Sequence, residues 1–81
     1  MTLEQAKVGQ TFTVLHVRGE GALRRRLLDL GILPGTAIEI TGAAPLGDPI
    51  ELTLRGYTLT LRRADGALVE VTPGQRRDRL W

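Results

Sequence analysis

The chain changes from helical to strand periodicity within the segment Leu27-Leu28-Asp29-Leu30-Gly31-Ile32-Leu33-Pro34-Gly35. Before this change, three leucines recur at i, i+4 and i+7 and predict an amphipathic helix over residues 21–30: Leu23, Leu27 and Leu30. Gly31 stands where a left-handed residue commonly ends a helix, and Pro34 prevents the helix from resuming. We therefore expect the helix to end at Leu30 and Ile32 to fold back on Leu27.

Apolar and polar residues alternate downstream of Gly35, which is typical of half-buried strands. The alternating segments are centred on Ile38 and Ile40, and then on residues 50–55, 57–61 and 67–71. Gly56 predicts a tight turn between two of these strands, and Asp65-Gly66 predicts a hairpin into the last one.

The N-terminal region supplies a short helix and the first strand. Thr2 and Gln5 have the spacing of a capping box, so a helix is expected over residues 3–7. Thr11–Val17 is predicted to be a strand with Phe12 and Val14 on one face and Leu15 and Val17 on the other, and this change of phase predicts a bulge.

These elements predict a mainly β protein with short helices. Five strands, with a helix inserted after the first, fit an SH3-like small β-barrel. We expect residues 1–72 to form this domain and residues 73–81 to form a basic, flexible tail that ends in Trp81.

The composition argues against an enzyme. The 81 residues contain no cysteine, no serine and one histidine, His16, so nucleophile–base pairs and Cys/His metal sites have no candidates. We expect no cofactor. The sequence also lacks a secretion signal and an apolar run of membrane-spanning length, which favours a cytoplasmic protein.

His16 falls in phase with Phe12 and Val14, which predicts a half-buried histidine. Imidazole is an acceptable ligand for ferrous iron, but a single histidine makes a poor site, and we expect no high-affinity metal site.

The sequence resembles the FeoA family in two segments, Leu30-Gly31-Ile32-Leu33-Pro34-Gly35 and Ala44-Pro45-Leu46-Gly47-Asp48-Pro49-Ile50. The stretch from Leu61 to Val71 is also similar to the last two strands of that family. The resemblance implies an SH3-like fold and action beside FeoB, the membrane iron transporter with a cytosolic GTP-binding domain. The same module resembles a domain of DtxR-type metal-dependent regulators, but the short chain favours an independent accessory protein.

Candidate contact residues for such a partner lie in a predicted loop, on the predicted helix and at a strand start. They are Pro45, Leu46, Asp48, Arg24, Arg25 and Tyr57. Leu46 is the sharpest candidate because an exposed apolar side chain in a loop offers an anchor to a protein. The remaining turn residues are expected to have structural roles: Gly31, Pro34, Gly35, Gly47, Pro49 and Gly66.

The basic residues suggest two further hypotheses about function. Arg24 and Arg25 should project into water, and one hypothesis is that Arg24, Arg25, Arg62 or Arg63 supplies charge to the GTPase site of the transporter. The arginine clusters also leave open a small basic barrel that binds nucleic acid, although the net charge is only +2. A metal-dependent regulatory module is the third alternative. Self-association is compatible with all of these readings.

Overall fold

The computed structural model describes residues 1–74. A 3₁₀ helix covers Leu3–Gln5, and the other elements follow in chain order: β1 Thr11–Val17, α1 Ala22–Asp29, β2 Ala37–Ala43, β3 Ile50–Leu54, β4 Tyr57–Leu61, α2 Arg63–Gly66 and β5 Val69–Pro73. The strands form one antiparallel sheet in the order β4-β3-β2-β1-β5. Within residues 1–74 no ladder joins β4 to β5, so the sheet is curled but open between these strands.

The core lies on the inner face of this sheet and is closed by the two ends of the chain and by α1. Its fully buried side chains include Leu3, Phe12, Leu27, Ile32, Ile38, Ile40, Ile50, Leu52 and Val69. The alternation predicted for β2 and β3 is confirmed, because Ile38, Ile40, Ile50, Leu52 and Leu54 are all buried. The core is therefore aliphatic, with Phe12 as its one aromatic side chain among the described residues.

A bulge in β1 changes which side chains of this strand face the core. The register against β5 shifts between Val14 and His16, as the phase change in the sequence predicted. The shift leaves both Leu15 and His16 exposed and returns Val17 to the core. The prediction of a half-buried His16 was wrong, because the extra residue at Leu15 turns the following side chain outward.

The C-terminal end of α1 has the structure that the sequence predicts. The Ile32 N–H donates to Leu27 O at 3.1 Å and the Gly31 N–H donates to Leu28 O at 3.0 Å, which is the double bond pattern of a Schellman ending. Gly31 has φ +96°, a conformation that favours glycine. The helix and its end are thus confirmed within one residue at each end.

The hairpin expected at Asp65-Gly66 is absent. Both residues lie in α2, and β5 pairs with β1 rather than with β4. A Cβ at Gly66 would stand 3.0 Å from Leu3 Cβ and 3.2 Å from Leu3 C, so this glycine lets α2 pack closely on the N-terminal 3₁₀ helix. The predicted hairpin was wrong, because Asp65 and Gly66 belong to a short helix that packs on the N-terminal segment instead of forming a turn between paired strands.

The N-terminal helix is shorter than expected. It ends at Gln5, and Ala6 has an extended backbone with ψ 148°. The carbonyl oxygens of Glu4 and Ala6 accept bonds from the Arg63 guanidinium, so they are engaged by a side chain rather than by a further helical turn.

Candidate partner-binding surface

The loop between β2 and β3 holds Leu46 in water. The Gly47 N–H donates to Ala44 O at 2.7 Å, and the Ala44 N–H donates to Pro49 O at 3.0 Å, so residues 44–49 form a compact turn. Leu46 at its tip is 96% exposed. An apolar side chain this exposed contributes nothing to the core, which leaves it free to contact another molecule.

Asp48 has a structural role beside any role in binding. Its Oδ1 accepts the backbone N–H of Arg63 at 3.0 Å, and this N–H is the first of α2. A carboxylate at this position satisfies a donor that has no partner within the helix. The loop of Leu46 is thereby tied to the start of α2.

Arg63 joins three parts of the chain through one guanidinium. Its Nε donates to Gly47 O at 2.6 Å, and its Nη1 donates to Glu4 O at 3.0 Å and to Ala6 O at 2.7 Å. The side chain therefore links the β2–β3 loop and the N-terminal segment to α2. Arg63 was predicted only as a member of a basic pair and as a candidate source of charge for the GTPase site, and no sequence signal distinguishes it from Arg62.

The arginines of α1 differ in exposure. Arg24 is half-buried, and its Nε donates to the Val17 carbonyl at 3.2 Å, so the expectation that it projects into water was wrong. This bond fixes the start of α1 to the end of β1. Arg25 and Arg26 are exposed.

Tyr57 supports the C-terminal end of α1. Its hydroxyl donates to the Leu30 carbonyl, although the ring remains partly exposed. A Cβ added at Gly31 would lie 2.8 Å from this hydroxyl oxygen, so Gly31 also makes room for Tyr57.

A groove separates α1 from the end of β4 and from α2. It has a volume of about 280 Å³ and is lined by Leu23, Arg26, Leu27, Leu30, Pro49, Thr60, Leu61, Arg62 and Asp65. Its lining combines leucine side chains with the charged side chains of Arg26, Arg62 and Asp65. We call it the α1–β4 groove.

The predicted contact residues do not form a single site. Leu46 stands at a loop tip, whereas Arg24 and Arg25 border a separate depression together with Glu20 and Leu28. The lining of the α1–β4 groove was not predicted as a site. Its leucines were recognised as the apolar stripe of a helix, but the sequence could not show that part of this stripe stays uncovered.

Two kinds of site are not found in residues 1–74. No three His, Asp or Glu side chains there are grouped so that they could hold a metal ion. No helix in that part of the chain is long and apolar enough to cross a membrane.

Known proteins resemble this chain over nearly all of its described length. The family model for the FeoA domain matches residues 1–73. A fusion protein of Porphyromonas gingivalis, which joins Fe(2+) transport protein A to the Fe(2+) transporter FeoB, is 35% identical over 71 residues. That match covers 88% of this chain but 8% of the relative, so the chain spans only a small part of the curated protein that it matches.

Solved structures agree with the fold. The NMR structure of a FeoA-like protein from Clostridium acetobutylicum has a TM-score of 0.86 at 35% identity, over 99% of this chain and 93% of that one. The crystal structure of Stenotrophomonas maltophilia FeoA complexed with zinc, described as a prokaryotic SH3 domain protein, has a TM-score of 0.79 at 24% identity, over 95% and 99%. This second likeness concerns the fold alone and confirms the SH3-like architecture. With its family model matched over residues 1–73, the chain belongs to the FeoA domain family.

Proposed function

We propose that this chain is a cytoplasmic, non-enzymatic accessory protein of bacterial ferrous-iron uptake. It acts by binding the cytosolic part of a FeoB-type transporter and by biasing the conformation or assembly of that part. The observation that carries the proposal is the Porphyromonas gingivalis relative, in which a FeoA and a FeoB are one polypeptide.

Fusion of FeoA to FeoB lowers the affinity that the contact between them needs. Two domains joined by a short linker meet at an effective concentration of the order of millimolar, so a weak contact suffices there. A separate chain lacks this advantage and has to bind through its own surface. Leu46, 96% exposed on a loop held by Asp48 and Arg63, supports such a surface because it is an apolar anchor on a fixed backbone.

Exposed arginines favour an acidic counterpart. Arg26 and Arg62, which line the α1–β4 groove, are exposed, and neither is engaged in an ion pair within residues 1–74. Charges of one sign on an interface raise the association rate with an oppositely charged partner. We therefore propose that the contact combines the Leu46 anchor with a basic rim.

Calorimetric titration at low and at physiological salt tests the proposal. The chain is titrated with the purified cytosolic part of the matching transporter, and in parallel with duplex DNA. We expect saturable binding to the protein that persists at physiological salt. Binding to DNA alone, weakening steeply with salt as counterions are released, would replace the proposal with the nucleic-acid reading.

A further inference from the structure

The two edge strands of the sheet, β5 and β4, differ in how well their outer edges are covered. At the outer edge of β5, the Val71 N–H donates to Met1 O at 2.8 Å, Thr2 forms a bridge with Glu70, and Pro73 has no N–H to offer. The outer edge of β4 has none of these protections, since its sequence Tyr57-Thr58-Leu59-Thr60-Leu61 contains neither a proline nor a charge. Such an edge is a template for another strand.

The register of β4 identifies the free backbone groups. β3 and β4 are joined by a two-residue turn, Arg55 with φ 50° and Gly56 with φ 84°, and Leu54 pairs with Tyr57. In an antiparallel hairpin of this type the pair next to the turn is hydrogen-bonded, and bonded pairs alternate with non-bonded ones. The N–H and C=O groups of Thr58 and Thr60 therefore point away from β3. Within residues 1–74 they have no other backbone partner.

The α1–β4 groove adjoins the C-terminal end of this edge. It is lined by Thr60 and Leu61 of β4, by Leu23 and Leu27 of α1 and by Leu30 at the end of that helix. Side chains of neighbouring strands share the faces of a sheet, so side chains of a strand added to β4 would lie at the groove where they stand beside Thr60 and Leu61. At about 280 Å³ the groove has room for a few side chains of such a strand, and its leucines offer them apolar contacts.

The charges at the groove favour a foreign segment over a second copy. Arg26 and Arg62 stand at the groove against the single acid Asp65, which favours an acidic side chain in the occupant. If β4 paired antiparallel with β4 of a second copy, Arg55 at one end would face Arg62 and Arg63 at the other. Like charges placed opposite each other destabilise such a pairing.

We propose that the free edge of β4 binds one extended segment of the transporter's cytosolic part as an added strand, apolar at alternate positions and carrying an acidic side chain beside Arg26 and Arg62. This inference rests on the proposed function and specifies its mode of contact. Backbone hydrogen bonds with Thr58 and Thr60 provide affinity, and the α1–β4 groove provides specificity for the side chains that stand beside Thr60 and Leu61.

Amide hydrogen exchange of the whole chain provides the direct test. The labelled chain is measured alone and with the cytosolic part of the transporter, and then with overlapping synthetic peptides that cover that part. We expect the Thr58 and Thr60 amides to exchange more slowly in the complex, because they gain hydrogen-bond partners. The Leu59 amide already faces β3 and serves as the internal control.

Matched variants separate the backbone contact from the side chain. Thr60→Pro removes the N–H at an edge position, whereas Thr60→Val keeps it. We expect Thr60→Pro to weaken binding at least about tenfold more than Thr60→Val, which changes a side chain at the groove but keeps the N–H. With the peptide that binds, Arg26→Glu should weaken binding, and Arg25→Glu, on the same helix but outside the groove, should not.

Each outcome decides the matter. Binding of the cytosolic part with unchanged Thr58 and Thr60 exchange overturns the strand addition and leaves the proposed function standing. No binding by the wild-type chain overturns both. If the Thr58 and Thr60 amides of the chain alone exchange more slowly as the chain concentration is raised, the edge pairs with a second copy. That result also overturns the inference. If Thr60→Pro does not fold, the exchange of the wild-type chain still decides.

Discussion

Arg62 and Arg63 are identical neighbours with different roles. The Arg63 guanidinium donates to the carbonyls of Gly47, Glu4 and Ala6, whereas Arg62 projects into solvent at the α1–β4 groove. We expect Arg63→Ala to lower the free energy of unfolding by at least about 2 kcal/mol, since one hydrogen bond to a charged group contributes about 1.5–3 kcal/mol and this side chain makes three. Arg62→Ala, the matched control, should stay within about 0.5 kcal/mol. Urea denaturation measures both, and equal losses would contradict the role given to Arg63.

At the scale of single residues, the sequence predicts conformation better than contacts. Gly31 could be placed at a left-handed helix end because local backbone chemistry determines that position. The positions of His16 and Arg24 could not be predicted in the same way. Each depends on an event elsewhere in the chain, the bulge at Leu15 and the approach of α1 to the end of β1.

At the scale of elements, the end of α1 depends on a fit between Gly31 and Tyr57. Gly31→Ala and Gly35→Ala share the cost of a left-handed backbone, about 1–2 kcal/mol, because both residues have φ above +90°. Only at Gly31 would the new Cβ lie 2.8 Å from the Tyr57 hydroxyl, whereas nothing lies within 4 Å at Gly35. We therefore expect Gly31→Ala to be the more destabilising by about 1 kcal/mol or more.

A double-mutant cycle measures that fit. In a Tyr57→Phe background the hydroxyl is gone, and the next neighbours of the added Cβ are 3.6 Å and 3.9 Å away. The extra cost of Gly31→Ala over Gly35→Ala should then shrink, so that Gly31→Ala and Tyr57→Phe couple in thermal or urea unfolding. Strict additivity would show that the two residues do not meet.

The order of elements could be predicted, but the pairing of the last strand could not. Alternation in residues 50–61 gave β3, β4 and their two-residue turn, since each is a local pattern. β5 pairs with β1, which is distant in sequence, because α2 packs on the N-terminal 3₁₀ helix and redirects the chain. The signal at Asp65-Gly66 contains no information on that packing.

At the scale of the whole molecule, stability and binding should be separable at Leu46. Leu46→Asp should leave the free energy of unfolding within about 0.5 kcal/mol, because the side chain is 96% exposed. We expect the same change to weaken binding to the transporter's cytosolic part by at least about tenfold, as for an apolar anchor. Val8→Asp, at another exposed apolar residue, is the control and should bind as the wild type does.

The overall architecture is the level at which the sequence was most informative, and the binding surface is the level at which it was least so. Periodicity and glycine positions predict an SH3-like fold, and the fold is confirmed. The α1–β4 groove exists only because α1 leaves one side of its leucine stripe uncovered, which is a property of the folded chain.

The measurement that most directly tests the central claim is an NMR titration of the labelled chain with the cytosolic GTP-binding part of the matching transporter. It is made at physiological salt without nucleotide, with GDP and with a GTP analogue. We predict localised amide shifts around Leu46 and along β4, and a dependence on nucleotide that links binding to the transport cycle. The absence of shifts in all three states would contradict the claim that this chain acts by contact with that part of the transporter.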